Sequence, residues 1–493
     1  MKTFCYRYFA LLFSVVALGT LSAQVPHTLL NNIPAPPVGV QPGAQLGSSV
    51  AVDGGYTVAG APYDDIGATN SGVVKVFNSN TGVLLFLLTN PSPAENDNFG
   101  SSVAISGTRV VVGARFDDTG ADNAGSVYVY DLSGGIPTVP IATVNKSSPV
   151  VGDNFGNSVA ISGTRVVVGC ANNDTGATDA GSVYVYDLSS GTPTVSIATL
   201  NKPSPSVGDN FGNSVAISGT RVVVGCAYND TGTFDTGSAY VYEMSSGTPT
   251  VPIATLNNPS PVVDDYFGWS VAVSGTRVVV GAYQDDTGAG DAGSAYVYEM
   301  SSGTPTVPIF TLTNPGPAAG DDFGDAIAIS GTRVVVGARL DDTGATNAGS
   351  AYVYDLSSGT PTVPIFTLNN PSPAANDYFG WSVAISGTRV IVSALLDDTG
   401  ASGSGSAYVY DLIGSTPTVP VATLNNPSAA ADHNFGRSVA ISGTRVVVGA
   451  RLDNTLVTNG GSAYVYDLSS GTPTVPVTTL NNPRMASGDE FGS

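Results

Sequence analysis

The residues best suited to chemistry are carboxylates, and they come in adjacent pairs. Asp117-Asp118, Asp285-Asp286, Asp341-Asp342 and Asp397-Asp398 each stand in the setting Asp-Asp-Thr-Gly. Asp64-Asp65 is a further pair, and Asp97, Asp153, Asp209, Asp265, Asp321 and Asp377 each precede a Phe by two positions. Two chemistries fit. Several oxygens on flexible loops are what calcium takes, so the pairs are candidate metal ligands. Asp ahead of Thr-Gly also caps turns by bonding its own backbone, and turn chemistry is the favoured reading. Catalysis needs unlike groups that converge, such as a nucleophile with its base. Here the acids repeat instead, and the two histidines, His27 and His433, have no partner the sequence can supply. The expectation is a chain without catalytic residues.

These acids are placed by a repeat. Phe-Gly recurs at Phe99, Phe155, Phe211, Phe267, Phe323, Phe379, Phe435 and Phe491, each step 56 residues, with a diverged start at Leu46-Gly47. Such a period marks units that bury their apolar faces only against one another. Each unit reads as four strands. Strand A is Ser102–Ile105, and a Ser-Gly-Thr turn leads to strand B, Arg109–Ala114, a β-branched run suited to burial on both faces. An acidic loop leads to strand C, Ser126–Tyr130, and strand D is expected near Thr138–Val144. Strand D would contain Pro140, and proline cannot donate to a ladder, so D must be an outer edge and A the inner strand.

Four-stranded antiparallel meanders in series make the blades of a β-propeller. The Phe-Gly starts, the Gly60-Ala61-Pro62 end of strand B and the Gly-x-Val-Tyr-Val-Tyr strand at Gly125–Tyr130 resemble FG-GAP repeats. Those are the blades of integrin α-subunit heads and of many exported bacterial proteins. The resemblance spans 46–493 and implies an all-β propeller, read as eight blades with the family's usual seven as the alternative. Calcium-binding members carry a D-x-D-x-D-G-like loop between strands A and B. Only Ser-Gly-Thr stands there, so those sites are not carried over.

Residues 1–23 read as a secretory signal, with Lys2 and Arg7 ahead of an apolar run too short to span a bilayer. Residues 24–45 hold Thr28–Asn32, which matches the end of a repeat and is expected to close the ring. Units fill 46–488, and 489–493 begin a truncated ninth. A net charge of −21 argues against nucleic acid and anionic membrane. No later stretch suits membrane insertion, so the chain is expected to be secreted or at the cell surface. Cys170 and Cys226 hold equivalent positions in neighbouring units, either as a disulfide or as two small buried residues.

The meander also sorts charge onto two faces. The A–B and C–D turns share one, and there each strand B starts with an arginine while strand C ends with an acid. The pairs are Arg109 with Asp131, Arg165 with Asp187, Arg221 with Glu243, Arg277 with Glu299, Arg333 with Asp355, Arg389 with Asp411 and Arg445 with Asp467. The first unit lacks both charges, having Tyr56 and Asn78, so cross-strand ion pairs are expected rather than an anion-binding ring. Most acids lie on the opposite, loop face. The residue after Phe-Gly varies there: Ser101, Asn157, Asn213, Trp269, Asp325, Trp381, Arg437. The residue before it is Tyr266 and Tyr378 in the two Trp units. Tyr266, Trp269, Tyr378 and Trp381 are thus candidates to stack on a sugar or peptide near the channel mouth, or to fill space between blades. An exported, non-catalytic binding or adhesion module for an extracellular glycan or protein is the favoured function. The alternatives are an inert spacer or surface array and an accessory propeller of a secreted enzyme.

Overall fold

The computed structural model describes residues 43–481, apart from 135–136, 303–304 and 455–457. The expected signal, the closing strand at 28–32 and the ninth start at 489–493 lie outside the described residues. The described residues form eight four-stranded antiparallel sheets, each a meander in sequence order. Blade 1 is β1 (Ser49–Asp53), β2 (Tyr56–Ala61), β3 (Val73–Asn78) and β4 (Leu84–Thr89). Blade 2 is β5 (Phe99–Ser106), β6 (Arg109–Ala114), β7 (Ser126–Asp131) and β8 (Ala142–Asn145). Blades 3 to 7 repeat this as β9 to β28 between 159 and 425. Blade 8 is β29 (Phe435–Ser442), β30 (Arg445–Ala450), β31 (Ser462–Asp467) and β32 (Thr478–Asn481).

Strands B and C are almost wholly buried, as continuous β-branched and Val-Tyr runs require. The first strands of successive blades approach one another around the ring, so strand A is innermost. Strand D starts later than expected, at Ala142 in blade 2. Pro140, and its counterparts in other blades, sits just before the strand, because a ring nitrogen with no hydrogen cannot join the ladder.

Every blade-to-blade interface holds one apolar cluster. Between blades 1 and 2, Val58, Val74, Val76 and Leu88 meet Phe99, Val110, Val112, Tyr128 and Tyr130. Phe99 meets Tyr128 at a tilt of 56°, with centroids 5.4 Å apart. The series ends by returning to its start: Val447, Ala463, Val465 and Leu480 of blade 8 pack on Leu46, Ala59, Ala61 and Val73 of blade 1. The Ser438 hydroxyl donates to the Gly47 carbonyl at 3.0 Å, as Ser102 does to Gly156 at 2.8 Å inside the series. The ring is therefore closed with eight blades, not seven, and the eighth carries its own outer strand. The Gly of Phe-Gly is needed for this approach. Gly100 has φ of 91°, and a Cβ on it would stand 2.8 Å from Val74 Cγ2 and 2.9 Å from the Val73 carbonyl of the previous blade.

Cys170 and Cys226 are both free and buried. Each packs in a different interface cluster, and each thiol donates to a backbone carbonyl, of Asp153 at 3.3 Å and of Asp209 at 3.2 Å. Equivalent points on neighbouring blades face different clefts, so the sulfurs are not brought together. Burial pushes the Cys170 thiol up to about 12, which keeps it an unreactive hydrophobe.

Candidate functional site: the loop-face mouth

The paired acids of the loop face are held by the fold. In blade 2 the Asn90 amide donates to Asp97 at 2.7 Å and to Asp117 at 3.3 Å, and the Tyr128 hydroxyl donates to Asp117 at 2.7 Å. All four are buried. Blades 5 and 6 rebuild this node with Asn258, Asp265, Asp285 and Tyr296 and with Asn314, Asp321, Asp341 and Tyr352. Blade 7 uses Asn370, Asp377, Asp397 and Tyr408. The other oxygen of each inner acid caps its own loop: Thr119, Thr287, Thr343 and Thr399 donate their backbone N–H to Asp117, Asp285, Asp341 and Asp397 within 2.9 Å. The outer acids do the same five residues on, with Asp118 accepting from Asn123, Asp286 from Asp291, Asp342 from Asn347 and Asp398 from Gly403. Among the described residues no group of three or more His, Cys, Asp or Glu has the geometry to hold a metal ion.

On the turn face the seven arginines stand opposite their acids in register: Arg109 by Asp131, Arg165 by Asp187, Arg221 by Glu243, Arg277 by Glu299, Arg333 by Asp355, Arg389 by Asp411 and Arg445 by Asp467. Tyr56 faces Asn78 in blade 1. Charged atoms come within 4 Å in three pairs: Arg221–Glu243 at 3.3 Å, Arg277–Glu299 at 3.7 Å and Arg445–Asp467 at 2.8 Å. Elsewhere hydroxyls take the carboxylate. Thr108 and Ser133 both donate to Asp131, and these bonds with the Arg109 charge hold it below the usual carboxylate range despite its partial burial.

The variable positions converge at the inner end of the loop face. Trp269 and Tyr266 of blade 5 join Tyr283 of the same blade and Tyr228 of blade 4. Tyr266 stacks on Tyr283, with centroids 5.4 Å apart and planes 13° apart, and Trp269 lies 5.1 Å from Tyr283. Tyr228 meets Tyr266 edge-on at 5.5 Å. Burial and the nearby Asp264 and Asp235 carboxylates raise the Tyr266 phenol, which stays neutral. Tyr266 and Tyr378 sit at φ of 51° and 56°, where Asn98, Asn154, Asn210 and Asn434 stand in sister blades. A bulky side chain is costly in that region and Asn is not, so the two tyrosines are kept against local preference.

The two tryptophans differ. The Trp269 ring belongs to the aromatic cluster. Trp381 has the Arg339 and Arg437 guanidiniums 5.0 and 5.1 Å from its ring centroid, so much of its π surface already faces cations, with Tyr378 6.4 Å away. Arg339 also bonds Asp322 at 2.8 Å and approaches Asp325 at 3.4 Å. Burial, only partly offset by Arg339, raises Asp322 to about 6.

Sequence reasoning missed half of this surface. Tyr283, Arg339, Arg115 and Arg451 lie directly after the Gly-Ala end of strand B, where blades 3 and 4 carry Ala171 and Ala227, and Tyr228 lies one residue further on in blade 4. Variation at that second position, placed beside the first by the A–B pairing, was the signal.

Seven stretches match the family model for the FG-GAP repeat: 88–130, 147–186, 197–242, 260–298, 310–354, 370–410 and 420–466. The chain belongs to the FG-GAP repeat family. Each match begins within a few residues of one blade's strand D and ends in the next blade's strand C, and the diverged first blade is touched only at its last two strand residues. A search of curated proteins returned no match. Among the described residues no helix is long and apolar enough to cross a membrane.

Proposed function

We propose that this propeller is an exported, non-catalytic binding module that engages an extracellular glycan or protein at the loop-face mouth. The observation that carries the reading is the cluster Tyr228, Tyr266, Trp269 and Tyr283. It is built at positions free to vary, is only partly buried, and keeps a tyrosine in a costly backbone conformation. Flat aromatic surface beside polar groups suits a sugar ring or an extended peptide. The paired acids, caught in nodes and turns, are assigned to the scaffold rather than to chemistry. Arrays of glycans and of matrix proteins test the reading with wild type and a Tyr266→Asn/Trp269→Asn variant, which copies sister blades. Hits lost in the variant support it. No hits with either protein favour a spacer, and hits indifferent to the change place binding elsewhere.

A further inference from the structure

Further round the ring from the aromatic cluster, past Trp381 of blade 7, the mouth turns basic. A pocket of about 170 Å³ spans blades 8, 1 and 2 and is lined by Arg437, Arg451 and Arg115 with Gln45, Ser48 and Ser101 among its other walls. In a chain of net charge −21, three guanidiniums at one pocket need a reason. The turn-face arginines each face an acid, and Arg339 has two. Among the described residues, Arg115, Arg437 and Arg451 have no carboxylate within ion-pair distance. Arg115 lies over the Phe116 ring at 4.5 Å, which fixes its head. Burial and the neighbouring Arg451 and Arg339 charges lower the Arg437 pKa, with Asp325 offsetting only part of the fall. Arg437 also lies over Trp381, which Arg339 covers too, and Arg339 is within electrostatic reach of Tyr283, so an aromatic arc interleaved with guanidiniums runs from the pocket to the cluster.

We propose that this pocket binds the singly charged oxyanion of an acidic glycan, a uronate carboxylate or a sulfate ester, whose sugar rings lie along the aromatic arc. The glycan part rests on the binding role proposed above; the oxyanion part does not. Guanidinium forks match planar oxyanions in geometry and charge. The pocket has room for about five or six waters, enough for an oxyanion and its hydration. A doubly charged phosphate is disfavoured by Asp325, which lies within electrostatic reach of Arg437.

The test is calorimetric titration of the whole chain with trigalacturonate, a sulfated galactotriose, neutral galactotriose and poly-glutamate. Three proteins are compared: wild type, Arg115→Ala/Arg451→Ala and Tyr266→Asn/Trp269→Asn. Ala already stands at the arginine position in blades 3 and 4, so folding is protected, and melting curves check it. One or both acidic sugars should bind, weaken at least ten-fold in the arginine variant and weaken with salt, and the stronger of the two identifies the oxyanion. Equal binding of neutral galactotriose, with no arginine dependence, overturns the oxyanion pocket and leaves the stacking role standing. Arginine-dependent binding untouched by the aromatic variant keeps the pocket and sinks the stacking role. Tighter binding of poly-glutamate than of either sugar overturns the glycan assignment, and no binding by any probe overturns both.

Discussion

Blades 3 and 4 bury a different set of groups from blades 2, 5, 6 and 7 at the same node. Where the latter place Asn beside two carboxylates, blade 3 places Lys146 and blade 4 Lys202, and the loop acid becomes Asn173 or Asn229. The Lys146 ammonium bonds both oxygens of Asp153, at 2.8 and 2.9 Å. Lys202 bonds Asp209 at 2.7 Å and Asn229 at 2.5 Å. One cation is gained as one anion is lost. Blade 8 makes another exchange, with His433 in the acid's place between Asn426 and the Asn454 N–H. In blade 1, Lys75 replaces the tyrosine; burial lowers its pKa to about 7 against the pull of Asp64. Substitutions that come in compensating sets belong to a scaffold. At the mouth, a few residues away, Arg339 is matched by Asp322 and Asp325, but the other substitutions bring aromatic rings and, at Arg115, Arg437 and Arg451, cations with no carboxylate in ion-pair distance.

The largest effect should come from breaking the lysine node. Lys202→Met strands Asp209 in the interior, and losing one partner of a buried ion pair costs about 3–5 kcal/mol. The compensated pair Lys202→Asn/Asn229→Asp rebuilds the node of blade 5 and should cost less than half as much in urea unfolding. Equal losses would mean that the two positions are not one unit.

Acidity tests the nodes that hold two carboxylates. Burial, reinforced by Asp117 and Asp118, raises Asp97 to about 6; burial with Asp285 and Asp286 raises Asp265 to about 7; burial with Asp397 and Asp398 raises Asp377 to about 6. One oxygen of each has no hydrogen-bond partner. An acid with a raised folded pKa binds more protons folded than unfolded, so its stabilisation is complete below about 4 and is lost as pH rises through 6 to 7. The turn-face acids are shifted down and act only below that window. The melting temperature should therefore rise between pH 7.5 and pH 5, and Asp265→Asn should flatten part of that rise. A fall over this interval would contradict the assignment.

Smaller effects are expected on the turn face. A double-mutant cycle on Arg221 and Glu243 should give about 0.2–1 kcal/mol of coupling, screened by salt; more than that would make the turn-face pairs part of the core. Millimolar calcium should leave the melting temperature unchanged, because the loop acids are already occupied in turns and nodes. A rise of several degrees would return them to metal binding.

The architecture was legible because it is written eight times. Strand B of blade 2 runs over the expected residues, and the arginines and acids fall opposite one another because antiparallel register follows from the short turns. Strand D was placed too early, since a Thr-Val run reads as strand although the proline beside it cannot pair. The Asp pairs looked like one feature because their separate hydrogen bonds depend on Asn90 and Tyr128, from distant parts of the repeat. The arginine pocket was hidden for the same reason: Arg115 and Arg451 are 336 residues apart by their numbering and meet only once the ring closes.

The division between scaffold and mouth rests most directly on one comparison of melting temperatures. One protein carries Arg115→Ala, Tyr266→Asn, Trp269→Asn and Arg451→Ala, each taken from a sister blade; the other carries the single change Lys202→Met. The four-fold mouth variant should melt within a few degrees of wild type and the single node variant well below it. A mouth variant that unfolds first would show that the aromatic and arginine residues hold the blades together.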